Sequence, residues 1–224
     1  AIKDPGLIGD LVGSGDLQRP YEKGEYAGRV ARAAGHAADA GALMAALRLL
    51  RRREMVRVAI RDIGALAGLD ETMHELSEMA DAVMQYALVR LQDWMLPLYG
   101  RAIDRQGRHV QLVVIALGKL GGQELNFSSD IDIMFAYAED GATRDGERSI
   151  ENSAYFERLC RRLVKVLGDI TAQGPLYRVD LRLRPFGDSG PLAMSFDAME
   201  RYYQTQGREW ERYALIKSRI AAGD

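Results

Sequence analysis

The chain has 224 residues, 47% hydrophobic and 28% charged, a composition that excludes a disordered polymer and suffices to bury a core. Its formal net charge of −2 argues against a protein held on nucleic acid by bulk electrostatics. Cys160 is the single cysteine, so no internal disulfide can form, and a reducing, cytoplasmic setting is the simplest expectation.

The opening "AIKDPGLIGDLVGSG" lacks a basic segment ahead of an apolar one and does not read as a signal peptide. Apolar runs such as "LVVIAL" are far too short to span a bilayer. The chain begins without Met and stops at "SRIAAGD", so it is expected to be a piece of a longer protein. Residues 1–24 read as an arm with one short helix. From Glu25 to Leu66 the pattern is helical, with Leu43, Leu47, Leu50 and Val58 near helical spacing and Arg51-Arg52-Arg53 as a solvated face. Gly68 suits a helix C-cap and Asp70 an N-cap for the next helix, Glu71 to about Leu96, which Pro97 bends or ends. Leu76, Met79, Val83, Ala87 and Leu91 form its apolar stripe.

At Gln111 the texture changes. "QLVVIAL" and "DIDIMFAY" read as short buried strands, and "PLYRVDLRLRP" as a third. A polar loop, 139–149, and an amphipathic helix from about Ile150 to Leu167 separate the last two. A final helical region runs from Ser195, its N-cap, to about Ile220. The expected fold is α+β: a helical N-terminal region, 1–108, followed by a catalytic sheet with flanking helices, 109–224.

Residues two apart on a strand share a face, so Asp130 and Asp132 point one way while Ile131 and Ile133 enter the core. Two parallel carboxylates resist joint ionisation unless a cation lies between them, and oxygen donors select a hard ion, Mg²⁺ or Mn²⁺. In "YRVDLRLRP" the polar face reads Arg178, Asp180, Arg182, Arg184. Asp180 can complete a three-carboxylate site, and the guanidinium groups can clamp phosphate oxygens. His36, His74 and His109 are scattered, which argues against a histidine metal site. A D-x-D alone is most often a surface turn, and paired glycines alone are weaker still. The conjunction of strand, glycine-rich turn, serines, D-x-D and a later strand aspartate favours a catalytic site.

These residues resemble the nucleotidyltransferase superfamily, with Gly118-Lys119 standing where its Gly-Ser turn falls and Lys119 departing from that pattern. "GKLGG", "ELNFSSDID", "YRVDLRLRPFGDSGPLAMSF" and "YYQTQGREWERYALIKSRI" are similar to the bifunctional glutamine synthetase adenylyltransferase/adenylyl-removing enzymes, strongly over Leu117 to about Ile220. The resemblance implies a polymerase-β-like palm sheet. Asn126-Phe127-Ser128-Ser129, in place of the Gly-Tyr-Gly-Ser of the adenylylating domain, implies the N-terminal adenylyl-removing domain. That domain removes AMP from a tyrosine of glutamine synthetase by phosphorolysis, releasing ADP. The implied partners are glutamine synthetase, phosphate, an adenine nucleotide and, through the full-length enzyme, the PII signal protein, with no nucleic acid and no membrane. The implied catalytic and metal residues are Asp130, Asp132 and Asp180. Gly118, Lys119, Gly121, Gly122, Ser128, Ser129, Arg182 and Arg184 are implied for nucleotide and phosphate. Adenylylation from ATP, or a catalytically silent regulatory module, stand as alternatives.

Overall fold

The computed structural model describes residues 5–223. The first half is helical: α1 (Pro5–Gly13), α2 (Glu25–Ala34), α3 (Ala40–Ile63) and α4 (Leu69–Tyr99). The run expected to be one helical segment from Glu25 breaks at Gly35, because Asp39 caps a new helix by accepting from the Ala42 amide at 2.8 Å. At the other end Gly64 caps α3 and Ala65 takes φ 54, so the chain has already turned before Gly68. Gly68 is therefore the N-cap of α4 rather than a C-cap. Asp70 lies inside the first turn, where its charge meets the positive helix end. Pro97 does not end α4. It sits in the last turn, forfeits one backbone bond, and Gly100 at φ 71 terminates the helix.

The arginine triplet in α3 is not one solvated face. Arg52 is exposed, but Arg51 lies over the Tyr177 ring at 4.8 Å and Arg53 reaches Asp10 at 2.6 Å and Asp16 at 2.8 Å. The connection between α1 and α2 is held onto α3 and α4 by a buried ionic cluster. The guanidinium groups of Arg57 and Arg29 lie over the Tyr21 ring, 3.4 Å and 3.8 Å from its centroid, while Arg57 also pairs with Glu75. Asp16 receives Arg29 at 2.6 Å.

The second half contains β1 (Arg101–Asp104), β2 (Leu112–Ala116), α5 (Gly118–Gly121), β3 (Ile131–Tyr137), β4 (Gly141–Arg144), α6 (Asn152–Gly168), β5 (Val179–Asp180), β6 (Ala193–Ser195), α7 (Phe196–Thr205), α8 (Glu209–Ala214) and β7 (Arg219–Ala222). Among the described residues the main sheet has five strands. β3 pairs antiparallel with β2 and β2 with β7, while β5 and β6 share the other edge of β3 as short parallel partners. The loop expected over 139–149 holds β4, which pairs with β1 in a separate ribbon. The third strand shrinks to two residues because the chain folds back at Arg182. The final region, expected to be helical, ends in a strand on the edge of β2.

One buried cluster runs from Tyr21 in the helical half to Ala222 in β7, so the helices and the sheet share a core. Two polar side chains from the helices reach the loops that carry the carboxylates. Ser77 of α4, fully buried, accepts from the Leu125 amide at 3.2 Å and donates to its own helix at Met73 O, 2.8 Å. Arg48 of α3, 3% exposed, donates to the carbonyls of Val166 (3.2 Å), Asp169 (2.5 Å) and Gly174 (2.8 Å), fixing the end of α6 and the loop toward β5.

Candidate active site

β2 delivers the chain into a tight turn because Leu117, buried, donates to Asp132 O at 2.9 Å and then α5 makes a single helical turn. Gly118 opens that turn at φ 53, and a Cβ there would stand 2.6 Å from Asp132 Oδ2. The glycine thus serves two needs: a left-handed backbone and room for the carboxylate. Gly121 has a different role from the one expected of it. Its Cβ would fall 2.0 Å from Lys217 O, so it is a packing glycine under the turn that precedes β7. Its amide donates to Leu117 O at 2.8 Å and that of Gly122 to Gly118 O at 3.0 Å, so neither faces outward to cradle phosphate.

The serines are likewise engaged in building the turn. Ser128 Oγ donates to Asn126 Oδ1 at 3.3 Å, and Ser129 Oγ to the same oxygen at 2.7 Å while accepting from the Asn126 amide at 3.1 Å. Asn126 organises this entry to β3, and its position two residues before a serine was the available signal. Lys119 is exposed, and its charge favours ionisation of Asp132.

Parallel pairing of β3 and β5 puts Asp132 in register with Asp180, with Ile131 opposite Val179. Asp130 lies just before the strand and is exposed, Asp132 is half-buried, and Ile131 and Ile133 are fully buried. Burial first, and then the charges of Asp180 and Asp130, push the Asp132 carboxyl above the usual carboxylate range. Two of the three carboxylates carry an arginine. Arg178 pairs with Asp130 and also donates to Ser128 O. Arg182 grips Asp180 through its backbone amide (2.9 Å to Oδ1) and its Nε (2.9 Å to Oδ2), which holds that carboxyl below its usual range. Arg178, a partner for Asp130 not anticipated in that role, was legible only as the residue two before Asp180.

Arg184 departs from the expected face. It is 7% exposed, donates to Leu181 O at 2.8 Å and approaches Asp188 at 3.5 Å, so it pins the 181–190 loop instead of projecting beside Asp180. The alternation read from the sequence ends at Asp180, where the strand itself ends.

Among the described residues no three His, Cys, Asp or Glu side chains are already gathered as a metal cluster, since Asp130 and Asp180 lean toward their arginines. The donor set nonetheless fits a hard divalent ion: oxygen ligands, the half-buried Asp132 without an arginine in its ion pairs, and a glycine leaving space at its Oδ2. The arginine side chains that would have to yield are 66% and 77% exposed, so water compensates each of them when its pair opens.

A family model described as glutamate-ammonia ligase adenylyltransferase matches residues 1–224. Curated relatives named bifunctional glutamine synthetase adenylyltransferase/adenylyl-removing enzyme include those of Thioalkalivibrio sulfidiphilus, 50% identical, and Nitrosococcus oceani, 49% identical, each over 224 residues and all of this chain. That of Pseudomonas syringae pv. tomato is 45% identical over 99% of the chain. The chain spans 23% of the length of these relatives. Among the described residues no helix is long and apolar enough to cross a membrane. With this match along its whole length, the chain belongs to the glutamate-ammonia ligase adenylyltransferase family.

Proposed function

We propose that this chain carries the adenylyl-removing chemistry: phosphorolysis of the AMP–tyrosine bond on glutamine synthetase, releasing ADP, in the control of nitrogen assimilation. The observation that carries the proposal is the in-register pair Asp132–Asp180, flanked on either side by an exposed arginine bound to a carboxylate. The relatives' name includes both activities. The Asn126-Phe127-Ser128-Ser129 entry to β3 supports removal over transfer.

Asp130, Asp132 and Asp180 would hold Mg²⁺ or Mn²⁺, which when bound supplies charge neutralisation at the phosphoryl group and at the leaving oxygen. The reaction joins an oxygen of inorganic phosphate to the α-phosphorus of the AMP group. The bond from that phosphorus to the tyrosine oxygen breaks, and its electron pair leaves as a phenolate whose conjugate acid has a pKa of about 10. The phenolate then takes a proton from water, and the nucleotide product is ADP. An anionic attacker meeting an anionic diester needs cationic help. Arg178 and Arg182 are placed to give it: released from Asp130 and Asp180, each presents a planar fork to phosphate oxygens. Lys119 adds a third positive charge beside Asp132. The backbone donors that a single helical turn leaves over lie at its start, at Gly118 and Lys119.

The test is to incubate the chain with adenylylated glutamine synthetase, phosphate and Mg²⁺ and to separate the nucleotides. ADP formed at a rate that rises with phosphate is the expected result. AMP as product, or no dependence on phosphate, overturns the proposal, and pyrophosphate released from ATP would assign the chain to transfer.

A further inference from the structure

Arg182, the partner of Asp180, also lines a cleft of about 590 Å³, within the range of small-ligand sites. The loop after β5 forms one wall, with Arg182, Phe186 and Gly187, and α7 and α8 form the other, with Tyr202, Arg208 and Trp210. Two of these are large aromatic rings left facing solvent: Phe186 is 44% exposed and Trp210 49%. Phe186 also holds φ 63, a left-handed conformation that a bulky side chain rarely adopts.

The two walls are braced against each other. The Phe186 ring lies 4.5 Å from that of Tyr202, whose hydroxyl donates to Glu211 at 2.8 Å. The other Glu211 oxygen accepts from the Arg208 amide at 2.7 Å, which fixes the start of the helix bearing Trp210. The rings are therefore on a prepared frame. Arg182 belongs both to this cleft and to the Asp180 pair, so one side chain links the cleft to the carboxylates.

We infer that this cleft is the base subsite of the nucleotide, with the purine of AMP or ADP lying against Phe186 and Trp210 and Arg182 marking the phosphate end. The assignment rests on the adenylyl-removing reading for the identity of the nucleotide. Aromatic faces take a purine by stacking, and neighbouring guanidinium groups accept its phosphates.

Phe186→Gly offers a clean test, because glycine relaxes the left-handed backbone while removing the ring. Calorimetric titration with Mg²⁺ present should show ADP binding about 10-fold or more weaker in the variant. Binding of pyrophosphate, which has no base, should change less than about twofold. Trp94→Phe leaves Trp210 as the one remaining tryptophan. In that background ADP should quench the fluorescence and pyrophosphate should not. If Phe186→Gly lowers the melting temperature, Trp210→Leu takes its place in the same titration. Equal quenching by the two probes, or ADP affinity unchanged within twofold, overturns the inference. These readouts do not depend on turnover. Failure to make ADP from adenylylated glutamine synthetase would sink the proposed reaction while leaving the binding result to be judged separately.

Discussion

Asp132 owes its setting to a side chain that is missing. Gly118→Ala would require φ 53 of an alanine and would drive a methyl to 2.6 Å from Oδ2. We expect a loss of about 1–2 kcal/mol in stability and about a 100-fold fall in ADP production, because the carboxylate must rotate away. Thermal melting and phosphorolysis assays would show both. Mg²⁺ or Mn²⁺ should raise the melting temperature of the wild-type chain by mass action, and Asp132→Asn should remove most of that rise. An unchanged response would put the ion elsewhere. The two arginines after Asp180 should separate cleanly. Arg182→Ala should weaken the phosphate dependence of the rate. Arg184→Ala should instead lower the melting temperature, since Arg184 is buried and bonded to Leu181 O.

At the scale of elements, the loop toward β5 depends on Arg48 in a distant helix. Arg48→Met would leave the carbonyls of Val166 and Asp169 without the Arg48 donor, and that of Gly174 with Thr171 alone. Urea unfolding should report a loss of about 3 kcal/mol, and ADP production should fall because that loop leads into β5 and Asp180. Neither clamp was visible in the sequence, where Arg48 and Ser77 look like ordinary helix residues. The long signals were legible: the stripe of α4, the amphipathic α6, and the apolar runs of β2 and β3. The short ones were not. β1, β4, β6 and β7 are three or four residues long and polar at several positions, so pairing across the sheet, not periodicity, makes them strands. "LRLRP" alternates like a strand, yet Asp180 captures the Arg182 amide and side chain and turns the chain first. The face of Asp132 was legible because β3 is long, and Asp180 meets it because β5 pairs in register there. The serine and glycine roles were not, since a turn's internal hydrogen bonds leave no periodic trace.

For the molecule as a whole, acid should loosen the ionic cluster around Tyr21. Burial opposes ionisation of Asp16, but Arg29 and Arg53 outweigh it and hold that carboxyl below the usual range. Arg19 chiefly, against burial, brings Glu25 down to about 2. Groups with depressed folded pKa values lend stability that is full above the unfolded value, about 4, and is lost as pH falls through the folded one. The near-ultraviolet signal of Tyr21 and Tyr26 should therefore fade between about pH 4 and pH 2, and Asp16→Asn should fade it at neutral pH. The sheet has another weakness. β3 is anchored along its length by β2, but its parallel junction with β5 is two residues long. Local opening free energy scales with how much ladder must break, so the amides of Val179 and Asp180 should exchange with solvent deuterium far sooner than those of Val113 and Val114. If the proposed phosphorolysis runs here, one jaw of the site is an anvil and the other a leaf, and the leaf is the part whose opening can pace turnover.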